Sequence, residues 1–247
     1  MTTPYRGLLL VAVLATGSVQ AANDVSALLK AADRYRTGQD DLQVETHVTV
    51  LNRDGSPDKE RRYTVFVQAQ HKSLVLMRSP AEAGQKVLML GDDFWLLMPG
   101  SQRPLRITPM QKLLGDASTG DVASMTWAED YDGKVEGEQT VDGVPCLKLD
   151  VTGQRKGVSY PRIVLYLAKS DRRPVQAELY VASDKLAKEA AFVIGDVDGR
   201  KMVTAMVLTD RLQRERVTEV HYLTRSAKTM GDEYYNPAFL VRADIND

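Results

Sequence analysis

The segment Ser79–Asp121, SPAEAGQKVLMLGDDFWLLMPGSQRPLRITPMQKLLGDASTGD, carries apolar side chains in both phases of runs that have the length of strands. Val87 and Met89 alternate with Leu88 and Leu90. After the turn Gly91-Asp92-Asp93, Phe94, Leu96 and Met98 alternate with Trp95 and Leu97. A strand of an antiparallel sheet ordinarily has one apolar phase, so two apolar phases require both faces to be covered by a second layer, a lid or a bound apolar ligand. Periodicity alone suits a packed sandwich core as well as a ligand cavity. Next, Pro104, Pro109, Gly115 and Gly120 punctuate a stretch in which Met110, Leu113 and Leu114 would line one face of a single helical turn. So short a helix is marginal by itself and must dock its apolar side on something larger, so the stretch reads as a lid over the sheet.

Outward from this hairpin the pattern is mostly β. Toward the N-terminus, Val25, Leu28, Leu29 and Ala32 stand at helical spacing behind Asp24 as N-cap, with Gly38 beyond the end, which predicts one amphipathic helix. Strict alternation at Val44–Val50 and Tyr63–Ala69 around the turn Asn52-Arg-Asp-Gly55 predicts a hairpin, and Ser73–Met77 a further strand. Toward the C-terminus, strands are expected at 134–139, 146–152, 162–168, 174–181, 187–194, 201–210 and 214–223, with Asn236–Val241 as a loop and a short apolar tail. Few helices and turns every 10–15 residues argue for a mainly β (α+β) fold in which consecutive antiparallel strands form one strongly curved sheet or partial barrel.

Residues 1–21 read as a secretory signal peptide: Arg6 supplies the positive charge, Leu8–Ala15 the apolar core, and Val19-Gln20-Ala21 the cleavage site. Residues 22–247 are then expected to form a single exported, soluble domain without a membrane anchor. That remainder has 31 basic and 33 acidic side chains, interspersed, which excludes the clustered basic footprint of a nucleic-acid-binding protein. The single cysteine, Cys146, allows no internal disulfide and reads as a small buried apolar residue. His47, His71 and His221 stand apart from one another, and neither a G-x-S-x-G, a phosphate-cradling glycine loop nor a cysteine pair is present. No enzyme activity, metal or cofactor is expected. Met77, Met89, Met98, Met110 and Met125 gather around the two-faced hairpin, and their unbranched, polarizable side chains suit an ordinary Met-rich core as well as variably shaped acyl chains or partner side chains.

The residues Pro80…Gly84, Leu90-Gly-Asp-Asp-Phe-Trp-Leu-Leu-Met-Pro99, Arg106-Ile107, Gly115-Asp116, Asp121 and, later, Arg172-Arg-Pro and Glu178-Leu-Tyr180 resemble the LolA-like outer-membrane lipoprotein-sorting proteins. The resemblance implies an incomplete, strongly bent antiparallel barrel closed by an N-terminal helix and a short helical lid, with an apolar cavity for acyl chains. It implies a periplasmic carrier of lipoprotein or lipid cargo toward the outer membrane, served by an inner-membrane transporter of the ABC or RND type. The alternative is an accessory or sensor subunit of an envelope lipid exporter that uses the same groove to hold a membrane protein partner. On either reading the candidate cavity residues are Val65, Val67, Leu74, Leu76, Val87, Met89, Trp95, Leu96, Met98, Met110, Leu113 and Leu114, with Arg106 at the entrance for a polar head group. A one-residue slip in a strand inverts its inward set. A hollow interior is expected, and an interior filled by the chain's own residues would count against carriage.

Overall fold

The computed structural model describes residues 24–38, 41–114, 117–123, 126–212, 216–243 and 245. The expected signal peptide, Met125 and the pair Gly115-Asp116 lie outside the described residues. Helix α1 (Val25–Asp33) begins where expected, with the Asp24 carboxylate accepting from the Ser26 amide at 3.1 Å. The strands that follow are β1 (Leu42–Leu51), β2 (Pro57–Gln68), β3 (Lys72–Met77), β4 (Lys86–Leu90), β5 (Asp93–Leu97) and β6 (Leu105–Ile107). A small hairpin, β7 (Lys112–Leu114) and β8 (Ala117–Ser118), leads into helix α2 (Thr119–Ala123). The second half is β9 (Tyr131–Val141), β10 (Val144–Gly153), β11 (Arg162–Ala168), β12 (Pro174–Tyr180), β13 (Leu186–Val197), β14 (Arg200–Asp210) and β15 (Val217–Ala227). A 3-10 turn at Asp232–Tyr235 and helix α3 (Pro237–Leu240) follow.

Among the described residues, thirteen strands form one antiparallel sheet in the order β6-β5-β4-β3-β2-β1-β15-β14-β13-β12-β11-β10-β9, with β7 and β8 a separate pair. Two meanders are therefore joined edge to edge by β1 and β15, and among the described residues β6 and β9 are the outer strands of the sheet. The sheet is an open, incomplete barrel. Its inner face is a single apolar cluster with contributions from β1–β5, β9–β15, α1 and α2. Only the concave side of a curved sheet brings so many strands within reach of one another.

The two apolar phases of the 87–97 hairpin are explained by two different covers. Val87 and Met89 point into the inner cluster, as does Phe94. Leu88 and Leu97 point outward, into a second cluster with Phe66, Leu74, Leu76, Met230, Tyr235 and Leu240. The second layer is thus the C-terminal segment, a 3-10 turn and helix α3 in place of the expected loop. Asn236 caps α3 by accepting from the Ala238 amide at 2.9 Å, Pro237 starts the helix, and Leu240 is fully buried against the outer face.

Candidate functional site

The site is built where the chain leaves the sheet after β6 and returns to it at β9. This stretch crosses the concave side as a cover. Backbone bonds hold its two limbs together: the Thr119 amide donates to Gln111 O at 2.7 Å and the Gly120 amide to Pro109 O at 2.8 Å. The expected helical turn at Met110–Leu114 is instead a turn and strand β7, because β8 offers it a partner; the helix of the cover lies further on, at α2. Ala117, Val122, Ala123 and Trp127 of the cover are all buried in the inner cluster.

Polar anchors fix the cover to the barrel wall. Asp121 of α2 accepts from Lys188 Nζ at 2.6 Å, from Tyr160 Oη at 2.8 Å, and from the Ser118 amide and hydroxyl at 2.8 and 2.7 Å. Burial alone would raise the Asp121 carboxyl, but the Lys188 ammonium and the Ser118 donors outweigh it and hold the group below the ordinary carboxylate range. Tyr160 is raised well above its ordinary value, first by burial and then by the adjacent Asp121 charge. On the opposite side, Asp33 at the end of α1 accepts from the Trp127 amide at 2.8 Å and the Ala128 amide at 2.8 Å. Burial raises its pKa to about 6, against the lowering effect of Arg36 and these amides. The Arg36 guanidinium lies 4.0 Å from the centre of the Trp127 ring, and Phe192 of β13 meets that ring edge-on at 5.6 Å. Gly120 is required here by close approach: a Cβ would stand 1.7 Å from Ser159 Oγ.

A third anchor joins the two flanks of the open barrel at one rim. Arg155, in the β10–β11 loop, donates to Asp130 Oδ1 at 2.6 Å, to Asp92 Oδ1 at 2.8 Å and to Gly91 O at 3.1 Å. His71 stands 3.3 Å from the same Asp130 oxygen.

Between cover and wall, a cavity of about 50 Å³ remains, lined by Arg36, Asp121, Tyr131 and Tyr160 on its polar side and by Ile163, Leu179 and Phe192 on its apolar side. It has room for a few waters, each of which needs roughly 10–15 Å³ on this measure, and for no acyl chain. Among the described residues, Ala117, Val122, Ala123 and Trp127 of the cover pack against the apolar concave face beside this cavity.

Of the candidate cavity residues, Val65, Val67, Val87 and Met89 lie in the inner cluster, with Leu96, Met110 and Leu113 packed against it. Leu74, Leu76 and Trp95 are on the opposite face, under the C-terminal segment. The β3 register pairs Val75, not Leu74 or Leu76, with Val65 and Val87, so the inward residues of that strand are Val75 and Met77. Met98 is 39% exposed, just beyond the end of β5. Leu114 is in β7, and its side chain lies outside the described residues. Arg106 pairs with Trp95 across β5 and β6, stacks 5.1 Å from that ring and binds Asp93 at 2.5 Å. Sequence reasoning did not single out Lys188, Tyr160, Asp33 or Trp127 as site residues. The available signal was Lys188 itself, a lysine in the inward phase of a strand whose neighbour in that phase is Ala190.

His47 and His221 face one another across the β1–β15 ladder, each beside a glutamate, Glu60 at 3.4 Å and Glu219 at 2.8 Å. Among the described residues, no three His, Cys, Asp or Glu side chains converge as metal ligands. Nor is any described helix long and apolar enough to cross a membrane.

The open, curved antiparallel sheet is a LolA-like fold. Residues 69–242 match the model of a family described as an uncharacterized protein, and the chain belongs to that family. Its structure is similar to that of a LolA superfamily protein from Nitrosomonas europaea, with 27% identity over 87% of this chain and 98% of the other and a TM-score of 0.80. It is also similar to a DUF1329 family protein from Desulfovibrio piger, at 23% identity over 87% and 97% of the two chains and a TM-score of 0.70. A structure described as an outer membrane lipoprotein-sorting protein domain from Vibrio parahaemolyticus shares the fold at 19% identity over 87% and 98%, with a TM-score of 0.68. A search of curated proteins found no match.

Proposed function

We propose that residues 22–247 form a single periplasmic domain that carries the acyl chains of a lipid or lipoprotein on the concave sheet face, displacing the 108–128 cover to admit them. The observation that carries this reading is the pairing of a continuous apolar concave face with a cover too short to be stable unless docked. The descriptions of the similar structures from Nitrosomonas europaea and Vibrio parahaemolyticus agree with it. An acyl chain that takes the place of Val122, Trp127 and the other cover side chains on this face regains about 0.8 kcal/mol per buried methylene, which offsets the burial lost on undocking. Neither step makes or breaks a covalent bond, and the protein acts as a binding module rather than an enzyme. A donor or acceptor at the inner membrane, of the ABC or RND transporter type, belongs to the same proposal.

The test is native mass spectrometry of the mature protein purified from periplasm, with lipid extraction, alongside uptake of a fluorescent acyl probe. Bound amphiphile and saturable uptake are expected. Absence of both defeats the proposal.

A further inference from the structure

On the flank of the barrel, where the end of α1 meets the β13–β14 turn, two hollows of about 370 and 220 Å³ adjoin, sharing Arg200 and Met202 as a common wall. Arg34 lines the first and Arg225 the second. Among the described residues none of these three guanidiniums has a carboxylate partner. Elsewhere on the surface the arginines are commonly paired, as Arg162 is with Asp150 and Arg211 with Glu189. The carboxylates near the hollows are largely engaged: Asp171 with Arg173 at 3.1 Å, and Asp196 with Lys201 at 3.7 Å. Asp198, in the turn itself, is the remaining carboxylate among the described residues that line the hollows.

Arg225 is the most informative of the set. It stacks 5.0 Å from the Tyr222 ring and donates one Nη to Val203 O. Burial works against its charge, an effect that a nearby anion would offset.

We propose that this groove binds a phosphoryl group, with Arg200 on the shared wall and Arg34 and Arg225 on either side. Guanidinium forks match the oxygens of phosphate mono- and diesters in charge and in geometry, and the hollows are large enough for a glycerophosphate. The backbone holds the site in shape. The Val203 amide donates to Tyr35 O at 2.7 Å, tying α1 to β14, and Gly38, at φ +75°, lets the chain pass 3.2 Å (measured from an added Cβ) from Met202 Cε. Phosphoryl binding in this groove is independent of acyl carriage.

The test uses the whole mature chain. Inorganic phosphate is titrated calorimetrically at constant ionic strength, and phosphatidylcholine vesicles with and without phosphatidylglycerol are used in flotation. The substitutions Arg34→Glu and Arg200→Glu are at exposed positions, and circular dichroism and melting temperature check that the variants fold. Each reversal is expected to weaken binding at least tenfold, and Arg225→Lys, which keeps the charge and loses the fork, several-fold. Binding of phosphate alone assigns the groove to a free anion. Flotation that needs phosphatidylglycerol and is lost in the reversals assigns it to a lipid head group. Binding of neither, or binding that the reversals leave unchanged, overturns the proposal. Acyl-probe uptake measured on the same variants keeps this outcome separate from that of the carrier reading.

Discussion

Lys188 of β13 and Asp121 of α2 form a buried ion pair, 2.6 Å from Nζ to Oδ2, that fastens the cover to the barrel wall. Lys188→Met leaves the Asp121 carboxylate buried with hydroxyl and amide donors but no cation, and is expected to destabilise the protein by about 3–5 kcal/mol in urea denaturation. The pair also has a pH signature. Because the folded carboxyl is held below its ordinary value near 3.8, its contribution is complete above that value and is lost as pH falls through the lower folded one. Lys188→Met should therefore unfold at a higher pH than the wild type on acid titration.

Gly120 lies so close to Ser159 that any side chain forces the two apart. Gly120→Val is expected to cost about 1–3 kcal/mol by overpacking and to shift the cover outward. On the carrier proposal, acyl-probe uptake becomes faster in this variant. Slower uptake with unchanged folding would argue that the cover is not the route of entry.

Asp33 makes the opposite pH prediction to Asp121. Its pKa is raised from 3.8 to about 6, so ionisation opposes the fold: the stabilisation is complete below about 4 and is lost as pH rises through 6. A shift of that size corresponds to about 3 kcal/mol. Asn does not titrate, so the stability of wild type relative to Asp33→Asn should increase by that order between pH 7 and pH 4, as read from paired denaturation curves.

The Arg155 clasp is geometric as well as electrostatic, because one guanidinium serves Asp130, Asp92 and Gly91 O together. A lysine cannot span that fork. Arg155→Lys is expected to cost about 2 kcal/mol and to speed amide exchange in the β4–β5 turn, while leaving β10–β15 protected.

Leu240 is fully buried on the outer face of the 87–97 hairpin. Leu240→Ala should lower stability by about 2–5 kcal/mol in chemical denaturation, as for other core truncations. A negligible loss would mean that the C-terminal segment contributes little to covering Phe66, Leu74 and Leu88.

Most of the sheet could be read from the sequence, because alternation and Asp-Gly turns are local signals. The strand at Arg162–Ala168 was placed to the residue, and the curved, incomplete barrel followed from the number and spacing of such runs. The cover and the C-terminal segment could not be read in the same way. Met110, Leu113 and Leu114 fit a helical face, but a strand partner beyond Gly115 decided their conformation. Asn236-Pro237 carried a cap signal too short to outweigh its loop-like composition. Leu74 and Leu76 were misassigned because β3 is buried on both faces, which removes the alternation that fixes the inward phase. The polar anchors escaped because Asp33, Asp121, Tyr160 and Lys188 are far apart in sequence and meet only when the barrel curves.

The seam between β1 and β15 joins residues about as far apart as the folded sheet contains, Leu42 opposite Ala227. The first meander reaches the folding compartment before the second, so β1 is a naked edge until the last strand is available to pair with it. Such an edge is a template for wrong partners, and a pairing of so high a contact order forms slowly. Assembly of this protein is therefore governed by its final stitch, and the nascent half-sheet is the form most in need of protection by a folding helper.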